Sequence, residues 1–269
     1  MEKRQILLTN DDGIDSPGLW AAAEALSDLG YVTVAAPRDQ SSGMGRALPS
    51  TSDGTVTPRT LNVRGREWTV YAVGGSPAQA VLHGAMEILP RLPDLVVSGI
   101  TYGANPTGGI TASGTVGAAL EGAGLGLPAL AISLETDQEH FFSYSKEVDF
   151  STAAHFCAVF ARMLLEKTFP PDVDLLKADI PSSATPQTPW RLTRLSRQPY
   201  FVALRPTEKR DWSQPGRIGF EVQPRLENEP PDSDVYVLRV RREVSLTPLS
   251  LDMTSRAPFD ELERRLRAN

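Results

Sequence analysis

The sequence predicts an α/β protein with a Rossmann-like, mostly parallel sheet covered by helices on both faces, followed by a β-rich C-terminal extension. Apolar runs alternate with helical patterns as far as Pro181, and repeated strand–helix units are typical of parallel sheets. After Pro181, proline, serine and threonine become frequent and only short strands are indicated. The 269 residues, 41% hydrophobic and 22% charged, suffice for a sizeable core.

The elements follow from these patterns in chain order. In the alternating region the predicted strands span residues 6–9, 31–36, 68–73, 94–98, 128–133 and 173–180. The predicted helices of the same region span residues 18–29, 77–89, 113–122 and 146–167. Short strands at residues 190–195, 200–203 and 235–240 and a charged helix at residues 257–268 follow. We therefore expect a core (1–182), a β-rich extension (183–256) and a helical tail (257–269).

Composition excludes several functional classes. Cys157 is the only cysteine, so one chain holds neither a disulfide nor a thiolate zinc site. No window reaches the roughly 18 apolar residues of a membrane span, and residues 1–4 lack the apolar core of a signal peptide. The net charge of −6 is spread along the chain without a basic run, which argues against dedicated nucleic-acid binding. We expect a cytoplasmic protein without a membrane partner.

Four polar clusters follow predicted strands. In an open parallel sheet, ligands bind beyond the carboxyl ends of the strands, so these clusters are the candidate site. They are Asn10-Asp11-Asp12-Gly13, the segment PRDQSSGMG at residues 37–45, Ser98-Gly99-Ile100-Thr101 and Ala112-Ser113-Gly114-Thr115.

Each cluster has an ordinary structural interpretation as well. Asp-Asp-Gly is a good turn in which Asp11 or Asp12 caps the next helix, but adjacent carboxylates repel at the end of a buried strand. A divalent cation accounts for both charges, since hard cations prefer carboxylate and hydroxyl oxygens. Ser41-Ser42-Gly43 also fits a flexible loop. Ser113 fits a helix cap, a role compatible with phosphate binding at the same helix N-terminus.

Other nucleotide and hydrolase motifs are missing from the sequence. It contains no G-x-G-x-x-G after the first strand, no Walker A loop and no G-x-S-x-G elbow. His83, His140 and His155 stand alone, so a serine–histidine triad is not indicated. A hard-metal site opposite an anion cradle remains, and this combination suits phosphoryl chemistry.

Several segments, in the same order along the chain, resemble the SurE family of survival proteins, which are metal-dependent 5'/3'-nucleotidases. The segments are ILLTNDDGIDSPGLWAAAEAL, VAAPRDQSSG, VGGSPAQAV, LVVSGITYGAN, SGTVGAALEG and SDVYVLRVRREVSLTPLSLDMT. The resemblance implies a Rossmann-like core, one Mg²⁺ or Mn²⁺ per subunit, nucleoside monophosphates or other phosphomonoesters as substrates, and a C-terminal portion exchanged within homodimers or homotetramers.

The same resemblance implies roles for individual residues. Asp11 and Asp12 match the metal-binding aspartates, and we expect them to act in catalysis as well. Ser42 matches a metal-binding serine, and Thr101 occupies the position of a metal-binding asparagine. The residues expected to bind phosphate are Asn10, Gly43, Asn105, Ser113, Gly114 and Thr115.

The chain departs from the family pattern at several positions. Thr101 replaces the asparagine of SGIN, Gln79-Ala80 replaces Asp-Cys, Lys177-Ala178-Asp179 replaces Asn-x-Asn, and residues 106–110 lack acidic side chains. A threonine hydroxyl ligates Mg²⁺ but reaches less far than an amide oxygen. Two alternatives to a nucleotidase therefore stand: a nucleotide-binding protein with weak or lost turnover, and an assembly module that works through its extension.

Overall fold

The computed structural model describes residues 3–63, 66–141, 143–207, 209–216, 218–222, 226 and 228–268. Within them, nine strands form one mixed sheet and two form a small ribbon. The strands are β1 (Gln5–Thr9), β2 (Tyr31–Pro37), β3 (Val56–Val63), β4 (Arg66–Val73), β5 (Leu95–Tyr102), β6 (Ala129–Leu134), β7 (Leu175–Ile180), β8 (Trp190–Leu192), β9 (Phe201–Ala203), β10 (Phe220–Val222) and β11 (Val244–Leu249). The helices are α1 (Pro17–Leu26), α2 (Pro77–His83), α3 (Gly114–Gly124), α4 (Ser151–Glu166), α5 (Asp234–Tyr236) and α6 (Phe259–Arg267).

Six neighbouring strands of the main sheet are parallel, in the order β4-β2-β1-β5-β6-β7. Numbered among themselves along the chain, they have the order 3-2-1-4-5-6 of doubly wound nucleotide-binding sheets. The winding direction reverses between β1 and β5. The carboxyl ends of these two strands therefore border the crevice in which such folds bind ligands.

Helices cover both faces of the sheet, as the apolar strands predict. Successive side chains of a strand point to opposite faces, so Ile6 and Leu8 pack with α1 and α4, whereas Leu7 packs with α2 and α3. Phe160 of α4 is fully buried in the first of these clusters. Burial of one such side chain contributes about 1.5–3 kcal/mol.

The C-terminal part of the chain completes the main sheet. β11 is antiparallel to β7, and β8 is parallel to β11 and forms the edge. β9 and β10 form the separate antiparallel ribbon. Residues of the predicted extension therefore belong to the same sheet as the core.

Two predicted elements differ from the structure. Residues 235–240, predicted as a strand, are helical: α5 continues into a π-helical turn at Val237–Arg241. The Ser233 hydroxyl caps this helix by accepting from the amide of Tyr236, and Val235, Val237 and Leu238 point into the core. The helix predicted from residue 146 begins at Ser151, because the Asp149 carboxylate accepts from the amide of Ser151 and forms a turn there.

Prolines concealed two strands from sequence analysis. β3 contains Pro58 and is tolerated because it lies at the edge of the sheet. β11 contains Pro248, but β8 pairs only with Val244–Leu246, so one side of β11 is unpaired at the proline. The short strand β10 was not predicted either. Among the described residues, no helix combines the length and the apolar character needed to cross a membrane.

Candidate active site

The turn after β1 is held rigid by Asn10. Its side-chain oxygen accepts from the amide of Gly13 at 3.1 Å, and its side-chain nitrogen donates to the Gly13 carbonyl at 3.0 Å. The next amide, of Ile14, donates to the carbonyl of Pro37 at the end of β2. Asp11 and Asp12 are therefore presented at a fixed position between β2 and β5.

Asp11 faces the N-terminus of α3. The Thr115 hydroxyl donates to Asp11 Oδ1 at 2.5 Å, and the Thr115 amide also donates to this carboxylate. A Cβ atom at Gly114 would lie 2.7 Å from Asp11 Cβ and 3.0 Å from Oδ2. Only glycine lets the helix approach Asp11 this closely.

Asp12 is held from the opposite side. The amide of Tyr102, the last residue of β5, donates to Asp12 Oδ2 at 3.3 Å. The Tyr144 hydroxyl donates to the backbone carbonyl of Asp12. Gln40 lies beside the Asp12 carboxylate and lowers its pKa, and Gln40 Nε2 donates to the carbonyl of Phe141 at 2.7 Å.

Thr101 lies beside both carboxylates, and its hydroxyl, which has one proton, can donate to one of them at a time. An irregularity in β5 between Ser98 and Thr101 directs this side chain to the site. Gly99 makes the irregularity possible, because it has φ +133° and a Cβ atom there would lie 2.2 Å from the carbonyl oxygen of Ile132. The structure thus brings Asp11, Asp12 and Thr101 together.

Burial determines the electrostatics of the pair. Asp11 and Asp12 are only 5% and 1% exposed. Desolvation raises the pKa of Asp11, against the hydrogen bonds from Thr115 and Thr101. Desolvation, followed by the charge of Asp11, raises the pKa of Asp12 well above its ordinary value. None of the main influences on these two pKa values comes from a positively charged group. Binding of a cation would therefore stabilise the ionised carboxylates.

The loop after β2 approaches the same place. The amide of Ser41 donates to the carbonyl of Asp11 at 2.7 Å, and that of Gly45 donates to the carbonyl of Ala112 at 2.9 Å. Between these two anchors, Ser42 and Gly43 are exposed. The Ser42 hydroxyl accepts from Gln40 Nε2 at 3.2 Å and keeps its own proton free to donate.

The residues expected to bind phosphate differ in whether their side-chain donors are still free to bond to it. The Asn10 side chain is committed to Gly13. Thr115 is committed to Asp11, and the Ser113 oxygen accepts from the amide of Val116 as a helix cap. Asn105 donates from Nδ2 to the Ser133 hydroxyl at 2.7 Å, which leaves one N–H of its amide group.

Sequence reasoning did not find Gln40, Tyr102 and Tyr144. Tyr102 contributes through its backbone amide, which carries no residue-specific signal. Tyr144 lies in the polar loop after β6, and only the tertiary structure brings it to Asp12. A separate group formed by Asp137, Glu139 and His140 has ligand atoms within 4.8 Å of one another, but both acids are exposed, as acidic surface groups commonly are.

Gln79 is one of the departures from the family pattern, and its role is structural. With Ser76 it forms a capping box at the start of α2, in which each side chain bonds to the other residue's amide. Its side chain also accepts from the Ser52 hydroxyl at 2.7 Å and donates to the Pro49 carbonyl at 3.0 Å. Gln79 therefore anchors the loop between β2 and β3 to α2.

Fold and site together define a class: a doubly wound α/β protein with two buried carboxylates at the sheet's carboxyl edge, facing a helix N-terminus. Within it, the chain belongs to the SurE family, since the family model described as Survival protein SurE matches residues 6–201. The family and the fold class predicted from the sequence are thereby confirmed.

Individual relatives match over nearly the whole chain. A protein from Thermococcus kodakarensis named 5'-nucleotidase SurE is 40% identical over 264 residues, covering 97% of this chain and 98% of the relative. A protein of the same name from Methanocella arvoryzae is 38% identical over 270 residues, covering 98% of each chain. The crystal structure of the SurE protein from Aquifex aeolicus has a TM-score of 0.74 at 29% identity, covering 98% of this chain and all of its own.

The contact between α3 and Asp11 can be tested by substitution. In Gly114→Ala the added methyl group would displace Asp11, so we expect Mn²⁺ affinity to fall at least about tenfold. Gly108→Ala is the matched control, because a Cβ atom there meets nothing within 4 Å. Isothermal titration with Mn²⁺ measures both. Equal affinities in the two variants would contradict the proposed importance of this contact.

The raised pKa values predict how the metal-free protein responds to pH. The folded state retains protons that the unfolded state releases above the ordinary aspartate value of 3.8, so the free energy of unfolding falls as pH rises through the raised pKa values. In EDTA at neutral pH, Asp12→Asn should therefore unfold at a higher temperature than the unmodified chain, and this difference should vanish near about pH 4.

Asp15→Asn is the control for this pH experiment, since Asp15 is exposed in the same loop. It should leave the unfolding temperature nearly unchanged at both pH values. Calorimetry at the two pH values makes the comparison. A metal-free Asp12→Asn variant that is less stable at neutral pH would show that the buried charge is compensated within the protein.

Proposed function

We propose that this chain is a divalent-metal-dependent phosphomonoesterase that hydrolyses nucleoside 5'- or 3'-monophosphates to nucleoside and phosphate. The observation that carries the proposal is the buried pair of Asp11 and Asp12, which share Thr101 and face the N-terminus of α3. Relatives of about 40% identity that bear the name 5'-nucleotidase support the same reaction.

The donor set fits a hard divalent cation. Carboxylates of Asp11 and Asp12 with the hydroxyls of Ser42 and Thr101 supply only oxygen ligands, as Mg²⁺ and Mn²⁺ prefer. We propose one such ion per subunit. When bound, the ion supplies Lewis acidity, polarising a phosphoryl oxygen and lowering the pKa of a water molecule.

The protein groups orient the reaction around this centre. Thr115 and Tyr102 fix the two carboxylates through hydrogen bonds from their hydroxyl and amide groups. Asp11 or Asp12 also orients the attacking water or accepts its proton, because carboxylates are suitable general bases.

The phosphoryl group is held by neutral donors. We propose that Gly43, Ser113, Gly114 and Asn105 surround it, with the N-terminus of α3 directed at its negative charge. Such donors stabilise the charge that develops in the transition state. Asn10 and Thr115 contribute by holding the turn and Asp11 rather than by donating to phosphate, because their side chains are already committed.

The two alternatives are less well supported. Loss of turnover was suggested by Thr101, yet Thr101 lies beside both carboxylates and the named relatives favour an active enzyme. If the chain were only an assembly module, the buried pair of Asp11 and Asp12 would have no role that offsets the cost of burying it. The geometry of the site favours hydrolysis over both.

Further properties extend this proposal. We propose that the substrate is a free small phosphomonoester, that the protein acts in the cytoplasm, and that the C-terminal segment at residues 183–256 is exchanged within a homodimer or homotetramer, with residues 257–269 as its tail. A single cysteine and dispersed acidic charge suit a reducing compartment and a small-molecule substrate.

The central test is phosphate release from nucleoside monophosphates and p-nitrophenyl phosphate with Mn²⁺ or Mg²⁺. We expect release that EDTA abolishes and that Asp11→Asn reduces by about a thousandfold, because an essential charged group is lost. Asp15→Asn should retain the activity of the unmodified chain. Nucleotide binding without release would favour the turnover-deficient alternative, and absence of both would favour the assembly module.

Thr101→Asn tests the role of Thr101 at the metal. An asparagine amide oxygen reaches further than a threonine hydroxyl, so we expect Mn²⁺ affinity to rise by about tenfold. Thr57→Asn on the exposed face of β3 is the control and should bind Mn²⁺ unchanged. Titration calorimetry measures the affinity. Unchanged affinity in Thr101→Asn would place Thr101 outside the coordination shell.

A further inference from the structure

Lys177, Asp179 and Asp234 form a buried ionic cluster, which we call the Lys177 cluster. All three side chains are fully buried. Lys177 Nζ lies 2.5 Å from Asp179 Oδ2 and 3.2 Å from Asp234 Oδ2. Burial lowers the pKa of Lys177, but the two carboxylates outweigh this effect and raise it above its ordinary value, so the lysine is charged.

The Lys177 cluster is bonded to the backbone of the loop after β5. Lys177 Nζ donates to the Asn105 carbonyl at 3.1 Å, and Asp179 Oδ1 accepts from the Asn105 amide at 2.7 Å. Asp234 Oδ2 accepts from the Thr107 amide at 2.8 Å. Three backbone groups of one short segment are therefore fixed by three buried charges.

This loop spans the distance between the two aspartates of the site. It starts at Tyr102, whose amide donates to Asp12, and ends at Gly114, which packs against Asp11. Thr107 has φ +65°, a left-handed conformation that a β-branched residue rarely adopts without external support. The bond from its amide to Asp234 supplies such support.

Asp234 also connects the loop to the C-terminal part of the chain. Its Oδ1 accepts from the amides of Ser196 and Val235, both at or below 2.9 Å. One carboxylate thus joins the loop, strand β7 through Lys177, and the segment that precedes β11.

We propose that Lys177, Asp179 and Asp234 are positioning residues that set the affinity for the phosphoryl group by fixing the backbone of Asn105–Thr107. The inference rests on the proposed function, in which Asn105 contacts phosphate. None of the three touches the substrate. The seating of the C-terminal segment through Asp234 therefore controls how well the loop binds phosphate.

Asp234→Asn is the main test variant. Backbone amides now donate to both Asp234 oxygens, and the nitrogen that replaces one oxygen in asparagine cannot accept such a bond. The charge of Lys177 remains balanced by Asp179. We expect KM for a nucleoside monophosphate and the dissociation constant of inorganic phosphate to rise about tenfold, with kcat changed less than about threefold. Mn²⁺ affinity should stay unchanged, because Thr115 and Tyr102 still hold the carboxylates of Asp11 and Asp12.

Asp174→Asn is the matched control. Asp174 lies just before β7, and its carboxylate also accepts an amide of the C-terminal segment, that of Leu251, but at the opposite end of the strand. It should share any loss of stability without the rise in KM. Lys177→Met is a second variant. Amide hydrogen exchange of residues 103–112 is measured in all three variants. We expect this exchange to become faster in Lys177→Met and Asp234→Asn but not in Asp174→Asn.

Two outcomes overturn the inference: a KM and a phosphate affinity that change no more in Asp234→Asn than in Asp174→Asn, or unchanged exchange of residues 103–112 in Asp234→Asn. Phosphate binding and amide exchange require no turnover. An unmodified chain that releases no phosphate from nucleotides would therefore refute the proposed function, while these two measurements still decide on the Lys177 cluster.

Discussion

Burial of two adjacent negative charges at the end of β1 is the constraint on which the rest of the site depends. Asp11 and Asp12 are almost inaccessible, and each raises the cost of ionising the other, so the folded protein holds a strong local preference for a cation. The neighbouring elements meet this constraint with neutral donors. Hydrogen bonds to the pair offset part of the free-energy cost of desolvation without cancelling its charge. The donors are the hydroxyl and amide of Thr115, the amide of Tyr102 and the hydroxyl of Thr101.

The same arrangement explains why small residues surround the pair. α3 points its N-terminus at Asp11 at contact distance, which Gly114 permits. The helix thereby offers its partial positive charge to whatever anion approaches the acids. A pair of acids that favours a cation thus lies beside a helix N-terminus that favours an anion. This arrangement is the physical basis for assigning a phosphoryl group to the crevice.

Much of the fold was predictable because its determinants are local or periodic. The alternation of apolar strands and helices gave the doubly wound sheet, and Asp11 and Asp12 were identifiable because adjacent acids after a buried strand are costly. Strand β11 was missed because Pro248 argues against a strand. The sequence does not reveal that one side of β11 is unpaired at this proline, which is what makes the proline tolerable.

The helical conformation of residues 235–240 shows a different limit. Valines favour strands in isolation, but the Ser233 cap and the contact of Asp234 with Lys177 favour a helix there. The cap is local, whereas Lys177 lies 57 positions earlier in the chain. For the same reason Lys177 looked like a simple departure from the family pattern. Its meaning depends on a carboxylate 57 positions later along the chain.

The insertion of β11 between β7 and β8 has a consequence for biosynthesis. Until residues 244–249 emerge from the ribosome, β7 exposes a full row of unpaired amides and carbonyls, and such an edge is a template for association with other nascent chains. The sheet closes only through a contact between distant parts of the polypeptide, which slows its completion. Vulnerability to aggregation is therefore concentrated in the interval between synthesis of the parallel strands and arrival of their antiparallel neighbour.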